Sequence, residues 1–136
     1  MKVNILFSTV LMIGFFLLVG FVASDDQAKP WKIPAKYEKM ENPYDADKES
    51  LKIGKRLWKK HCGSCHGGEG LGDGSKAAQL ETAPGDFSSA VFQDQSDGAI
   101  FYKSWFGRDE MPNYEKKIPY DEDVWHLVNY MRTFGE

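Results

Sequence analysis

The stretch of this chain with the clearest chemistry is Cys62-Gly63-Ser64-Cys65-His66. Two thiols with two residues between them, followed at once by a histidine, form the C-x-x-C-H pattern for attaching a c-type haem. Each thiol can add across one vinyl group of the porphyrin, and the adjacent imidazole is then held beneath the iron as an axial ligand. Three other chemistries use the same residues. A redox dithiol of the thioredoxin type requires a strand before the C-x-x-C, whereas Gly54 to His61 is lysine-rich and helix-like. A structural zinc site requires four ligands. The chain offers 2 cysteines and 3 histidines, with His126 far away in a separate helical pattern. A disulfide across so short a loop is strained and stabilises little.

If His66 takes one face of the iron, the other face needs a ligand or stays open. Of 5 methionines, Met1 and Met12 fall in the N-terminal apolar run and Met40 in a proline-rich stretch. Met131 lies on the apolar face of a helix, where packing is its natural role. Met111 sits in a loop after Gly107 and is followed by Pro112, which stiffens the chain. Met111 is therefore the candidate distal ligand in a His/Met pair. The competing reading is a gap-filling methionine, with His126 or water on the iron. His126 adjoins Trp125 within the last helix and reads as a packing residue, and His61 directly precedes Cys62 and points away from the same iron.

These residues need elements to position them. A helix is expected from an N-cap at Ser50 to about Cys62, with Leu51, Gly54, Leu57, Trp58 and His61 along one face. Gly54 inside it costs roughly 1 kcal/mol against alanine, which calls for close approach of another helix. The glycine-rich run Gly67 to Gly74 follows a helix rather than a strand, which argues against a phosphate cradle. It reads as a tight loop skirting the porphyrin edge. Thr82 to Phe87 is a turn, in which Pro84 either orients the free ring nitrogen of His66 through its carbonyl or is a plain turn proline. Ser96-Asp97-Gly98 opens a short helix carrying Ile100, Phe101, Ser104 and Trp105, with Gly107 as its C-cap. A last helix is expected over about Asp121 to Phe134, with Val124, Leu127, Val128 and Met131 on its buried face and three acids in its first turn.

The 136 residues allow one small domain with flanking sequence, and the net charge of −3 gives no sign of nucleic-acid binding. Both cysteines lie in the motif, so no disulfide framework remains, and a covalent haem would staple the small core instead. Residues 1–24 read as an export signal or a membrane anchor. Lys2 precedes an apolar run from Ile5 to Ala23, and Val22-Ala23-Ser24 offers a cleavage site. The run is longer than the usual signal core of about 7–15 residues and close to the ~20 needed to span a bilayer. Both fates place the rest of the chain outside the cytoplasm. Residues 25–49, with Pro30, Pro34 and Pro43, read as a charged linker. It is either a flexible spacer or an arm whose Trp31, Ile33 and Tyr37 pack on the domain and cover part of the haem crevice. The haem domain is expected over residues 50–136.

Together these residues resemble a class I monohaem cytochrome c, a small exported bacterial type. The resemblance rests on Gly54 and Trp58, Cys62 to His66 with Gly67, Gly70 to Gly74, Met111-Pro112, and Val128 to Met131. It covers about Ser50 to Glu136 and implies an all-α fold in which the first and last helices cross, Gly54 meeting Tyr130 beside Trp58. It also implies one covalent haem c held by Cys62, Cys65, His66 and Met111, with iron ligated by His66 and Met111. An iron with two protein ligands has no open position, so the expected role is one-electron transfer at a positive potential and not enzymatic turnover. The expected partners are a quinol-oxidising complex and a terminal oxidase, in the periplasm or on the outer face of the cytoplasmic membrane. Lys55, Arg56, Lys59 and Lys60, opposed by Asp121 to Asp123, either steer docking or form a solvated face. Two other readings stand beside the carrier: an anchored haem subunit of a larger oxidoreductase, and a catalytic or ligand-binding haem protein with open iron. Cleavage of the N-terminus separates the first of these from the carrier, and carbon monoxide binding separates the second.

Overall fold

Helix α2, Lys48–His61, is set by its two ends. The Asp47 carboxylate caps it by accepting from the Ser50 backbone N–H at 2.8 Å. Glu49 in the first turn and Lys59, Lys60 and His61 in the last complement the helix dipole. The cap is thus Asp47, three residues before the expected Ser50, and Ser50 is buried inside the helix. The computed structural model describes residues 29–136, and the expected signal or anchor at 1–24 lies outside the described residues. Among those described, no helix is long and apolar enough to cross a membrane.

The helices run α1 Ala35–Glu38, α2, α3 Gly63–His66, α4 Ala90–Gln93, α5 Asp97–Phe106 and α6 Asp121–Arg132, with 3-10 turns at Ala77–Gln79 and Thr133–Gly135. Among the described residues the only strand-like pairing is an isolated antiparallel bridge between Arg108 and Met111. The fold is all-α, as expected. Helix α5 has the anticipated ends: Ser96 Oγ accepts from Ala99 N–H at 3.1 Å, and Gly107 closes the C-terminus. Helix α6 buries every residue from Val124 to Asn129, and Met131 as well, as befits an element enclosed on most sides.

Helices α2 and α6 pack directly on each other. A Cβ at Gly54 would overlap the His126 carbonyl oxygen and stand 2.6 Å from Tyr130 Cβ. This contact explains the glycine in mid-helix and matches the expected meeting of Gly54 with Tyr130. Trp58, Ile100, Phe101, Val124, Leu127 and Val128 form the centre of the core. At the far end of α6, Arg132 holds the α4–α5 junction through Asp97 Oδ1 (2.6 Å) and the carbonyls of Gln93 and Gln95.

From Trp31 onward the proline-rich segment is not a free spacer. Tyr37 packs against Tyr102 and Phe106 of α5, with ring centroids 4.9 and 5.5 Å away. Asn42 Nδ2 donates to the Trp125 carbonyl (3.1 Å) and to Asn129 Oδ1 (2.8 Å). Asn129 in turn donates to the Tyr44 carbonyl and to Ser50 Oγ. Ser50 Oγ also lies 2.9 Å from His126 Nδ1. The same hydroxyl thus joins Asn129 to His126, whose Nε2 lies 3.6 Å from the Glu122 carboxylate. His126 is therefore a packing residue, as its place beside Trp125 predicts. The arm lies on α5 and α6, and neither Trp31 nor Tyr37 has an aromatic contact with the Cys62–His66 turn.

Candidate functional site

Cys62 ends α2, its N–H bonded to the Trp58 carbonyl at 2.8 Å. The next four residues form α3, a single turn in which the N–H groups of Cys65 and His66 both return to the Cys62 carbonyl, at 3.1 and 3.0 Å. A separation of three residues on a helical turn brings Cys62 and Cys65 to one side, and His66 closes the same turn. Both cysteines are free thiols. Burial, with Cys65 adding a smaller effect, pushes the Cys62 thiol up to about 12. It is a protonated, apolar sulfur, unlike the low-pKa thiolate of a redox dithiol. No group of three or more His, Cys, Asp or Glu side chains able to hold a bare metal ion occurs among the described residues.

His66 sits among aromatic rings, 4.7 Å from Phe87 and 5.8 Å from Trp58 by centroid. Burial lowers its pKa to about 4, so the ring is neutral at physiological pH and has a free lone pair for a metal. Its Nδ1 is shut off from solvent and has no hydrogen-bond partner. The carbonyl of Pro84, one candidate for that partner, instead lies against Gly72. A Cβ at Gly72, where φ is +77°, would overlap the Pro84 oxygen. The glycine-rich loop is as tight as expected, folded back on the turn by Gly72 N–H to the His66 carbonyl (2.9 Å) and Gly74 N–H to that of Cys65 (3.2 Å). Trp58 Nε1 secures the start of the loop by donating to the Gly67 carbonyl at 2.9 Å.

Met111 lies between α5 and α6. Its N–H donates to the Arg108 carbonyl at 2.8 Å across the Arg108–Met111 bridge. Three residues on, Tyr114 is buried, its N–H bonded to the Trp105 carbonyl at 2.8 Å. Its hydroxyl donates to the His61 carbonyl at 2.8 Å, tying the Met111 loop to the residue before Cys62. Burial is the main cause raising the Tyr114 phenol to about 12, with smaller effects from Cys62 and Cys65. Tyr114 and Phe87 are the site residues that sequence reasoning did not single out. The available signal was the aromatic in each of two loops, Phe87 at the end of the Thr82 to Phe87 turn and Tyr114 three residues after Met111. The His61 ring packs on Tyr114 at 5.6 Å, and its Nε2 is buried without a partner.

Two free thiols and a neutral, half-enclosed imidazole on one turn, walled by Trp58, Phe87 and Tyr114, fit a large apolar plate joined by thioether bonds. The buried, unpartnered Nδ1 of His66 and Nε2 of His61 are polar atoms that the protein's own groups leave unsatisfied.

Comparison with known proteins agrees. Residues 49–131 match the family described as cytochrome c oxidase, cbb3-type, subunit III. No curated protein matches the sequence. Among solved structures, a chain of the Kuenenia stuttgartiensis reducing HAO-like protein complex is similar at 26% identity and a TM-score of 0.62. The match covers 69% of this chain and 47% of that one, so this chain spans about half the length of that relative. The c-type cytochrome KustC0563 is 29% identical with a TM-score of 0.52, over 61% of this chain and 98% of that one. Cytochrome CL of the marine methylotroph Methylophaga aminisulfidivorans shares the fold at 21% identity and a TM-score of 0.51, over 68% and 60% of the two chains. The helical fold, the C-x-x-C-H turn and these matches lead to one conclusion: the chain belongs to the cbb3-type cytochrome c oxidase subunit III family and is a class I monohaem c-type cytochrome, an electron-transfer protein with covalently bound haem c.

Proposed function

We propose that Cys62 and Cys65 bind the haem through thioether bonds, that His66 and Met111 are its two axial ligands, and that the protein carries single electrons between respiratory components outside the cytoplasmic membrane. One observation carries the reading: a neutral, half-buried imidazole shares a helical turn with two thiols. The Tyr114–His61 hydrogen bond adds to it by tying the Met111 loop to the residue before Cys62. The bound haem supplies a reversible ferric–ferrous couple. His66 offers an uncharged nitrogen, and Met111 a soft, uncharged sulfur that favours the ferrous state. Trp58, Phe87 and Tyr114 keep water away, so added positive charge is poorly solvated there, which also raises the potential. With both ligand positions filled by the protein there is no place for a substrate.

The finer role follows from residues 1–24, which export the domain as a cleaved signal or hold it as an anchor, and from the exposed Lys55, Arg56, Lys59 and Lys60 beside the haem turn. These cations suit a brief encounter with acidic partners, such as a quinol-oxidising complex and a terminal oxidase. A second reading, an anchored subunit of a larger oxidoreductase, is supported by the oxidase-subunit description of the family and by the complex that contains the Kuenenia relative.

The first test is an optical spectrum of purified protein, oxidised and reduced, with and without carbon monoxide. A low-spin spectrum with a weak far-red ferric band from a sulfur ligand, and no carbon monoxide adduct, is expected. A high-spin ferric spectrum would sink the Met111 assignment. Recovery of the protein free of membranes would favour the mobile carrier, and co-purification with oxidase subunits would favour the second reading.

A further inference from the structure

The turn that presents Met111 is held from two directions. On one side Glu110 Oε2 accepts from the backbone N–H groups of Glu81 (2.9 Å) and Thr82 (3.1 Å). On the other, Arg108 reaches the N-terminal arm. Its Nη1 donates to the Pro30 carbonyl at 3.2 Å, and its guanidinium lies over the Trp31 ring, 4.4 Å from the centroid. Trp31 is itself seated edge-on against Tyr102 of α5, at 6.5 Å. The Arg108 backbone is the other half of the bridge to Met111, accepting its N–H at 2.8 Å. Between them Asp109 has φ +48°, among the described residues the only non-glycine one with positive φ. Such a backbone persists where its surroundings hold it in place. A turn with a disfavoured residue at its centre depends on the anchors at its ends.

We propose that Trp31 and Pro30, acting through Arg108, are positioning residues that clasp the Met111 turn closed, so that the arm preceding the domain sets how often the distal ligand leaves the iron. This rests on Met111 being the second axial ligand. The geometry gives the arm a purpose beyond packing: half-buried Trp31 is seated on α5, and it offers a flat, electron-rich face on which the planar Arg108 cation beside the ligand turn rests.

Exogenous imidazole binds ferric haem only when the distal ligand has moved aside, so its affinity for the holoprotein reports the opening of the turn. Wild type, Trp31→Ala, Arg108→Gln, the double variant, Trp31→Phe and Met111→Ala would be titrated with imidazole, and unfolding of the helices would be followed separately by circular dichroism. We expect imidazole affinity to rise about five- to tenfold in Trp31→Ala and in Arg108→Gln. The double variant should rise no further than the larger single effect, because both changes remove the same contact. Trp31→Phe should restore most of the wild-type value. If both single variants bind imidazole within about twofold of wild type while Met111→Ala binds it far more tightly, the clasp is refuted and the ligand assignment stands. If Met111→Ala matches wild type in affinity and in its far-red band, the ligand assignment itself fails. A lowered unfolding midpoint with unchanged imidazole affinity would reduce the arm to general packing and also overturn the proposal.

Discussion

Tyr114 donates its hydroxyl hydrogen to the carbonyl oxygen of His61 at 2.8 Å, across 53 positions of sequence. The bond joins the loop that follows Met111 to the end of the helix that delivers Cys62. Tyr114→Phe removes it and leaves the carbonyl without that donor, an expected loss of about 1 kcal/mol in denaturant unfolding of the holoprotein. The phenol also predicts an alkaline signature. Its folded pKa is raised to about 12 from 10.0, so as pH rises through that interval the unfolded chain gives up a proton that the folded one keeps. Stability from this group is intact below about pH 10 and falls between about 10 and 12. The fall should be smaller in Tyr114→Phe, and an identical pH profile for both proteins would contradict the burial of this hydroxyl.

The ligand assignments predict different failures for the two sides of the iron. His66→Ala removes the imidazole that closes the Cys62–His66 turn, so little stable holoprotein is expected, as read by pyridine haemochrome content per milligram. Met111→Ala should retain covalent haem, because both thiols remain. It should bind carbon monoxide when reduced and have a lower midpoint potential, since the sulfur that favours ferrous iron is gone. A Met111→Ala protein with the wild-type potential and no carbon monoxide adduct would rule Met111 out as the ligand.

Gly54 tests the helix contact that supports the site. A Cβ there overlaps the His126 carbonyl oxygen, which is backbone and has no rotamer to yield. Alanine gains roughly 1 kcal/mol of helix propensity, but forcing α2 from α6 costs about 1–3 kcal/mol or more. Gly54→Ala should therefore lower the thermal midpoint despite the better helix former. A higher midpoint would mean that the helices do not approach as described.

Much of this arrangement was legible because its signals are local. The C-x-x-C-H turn is a contiguous pattern, α6 follows from Val124, Leu127, Val128 and Met131, and the cost of Gly54 points to a helix crossing. Ser50 misled because Asp47 and Ser50 are both good caps three residues apart. The choice between them lies in the partners of the Ser50 hydroxyl, His126 and Asn129, more than 70 positions away. The choice between a flexible spacer and a docked arm stayed open in the sequence for the same reason. The arm's apolar residues have no period of their own, because they follow the surfaces of α5 and α6.

Asn42 makes that long-range packing measurable. Its amide bridges the arm to α6 through the Trp125 carbonyl and Asn129 Oδ1, and Asn129 then uses its own amide on Tyr44 and Ser50. Asn42→Ala removes two donors and leaves a partly buried carboxamide oxygen unpaired, while Ser50→Ala strips a hydroxyl shared by two buried side chains. Each should cost about 1–3 kcal/mol. Coupling should appear in the double variant, whose loss should differ from the sum of the single losses by at least about 0.5 kcal/mol, since both residues act through Asn129. In hydrogen exchange, Asn42→Ala should release protection at Tyr37 and Met40, whose amides are bonded within the arm to Pro34 and Tyr37, and leave α2 protected. If protection in the arm is already absent in the wild-type protein, the segment before Asp47 is a tether after all, and the coupling between Asn42 and Ser50 should vanish with it.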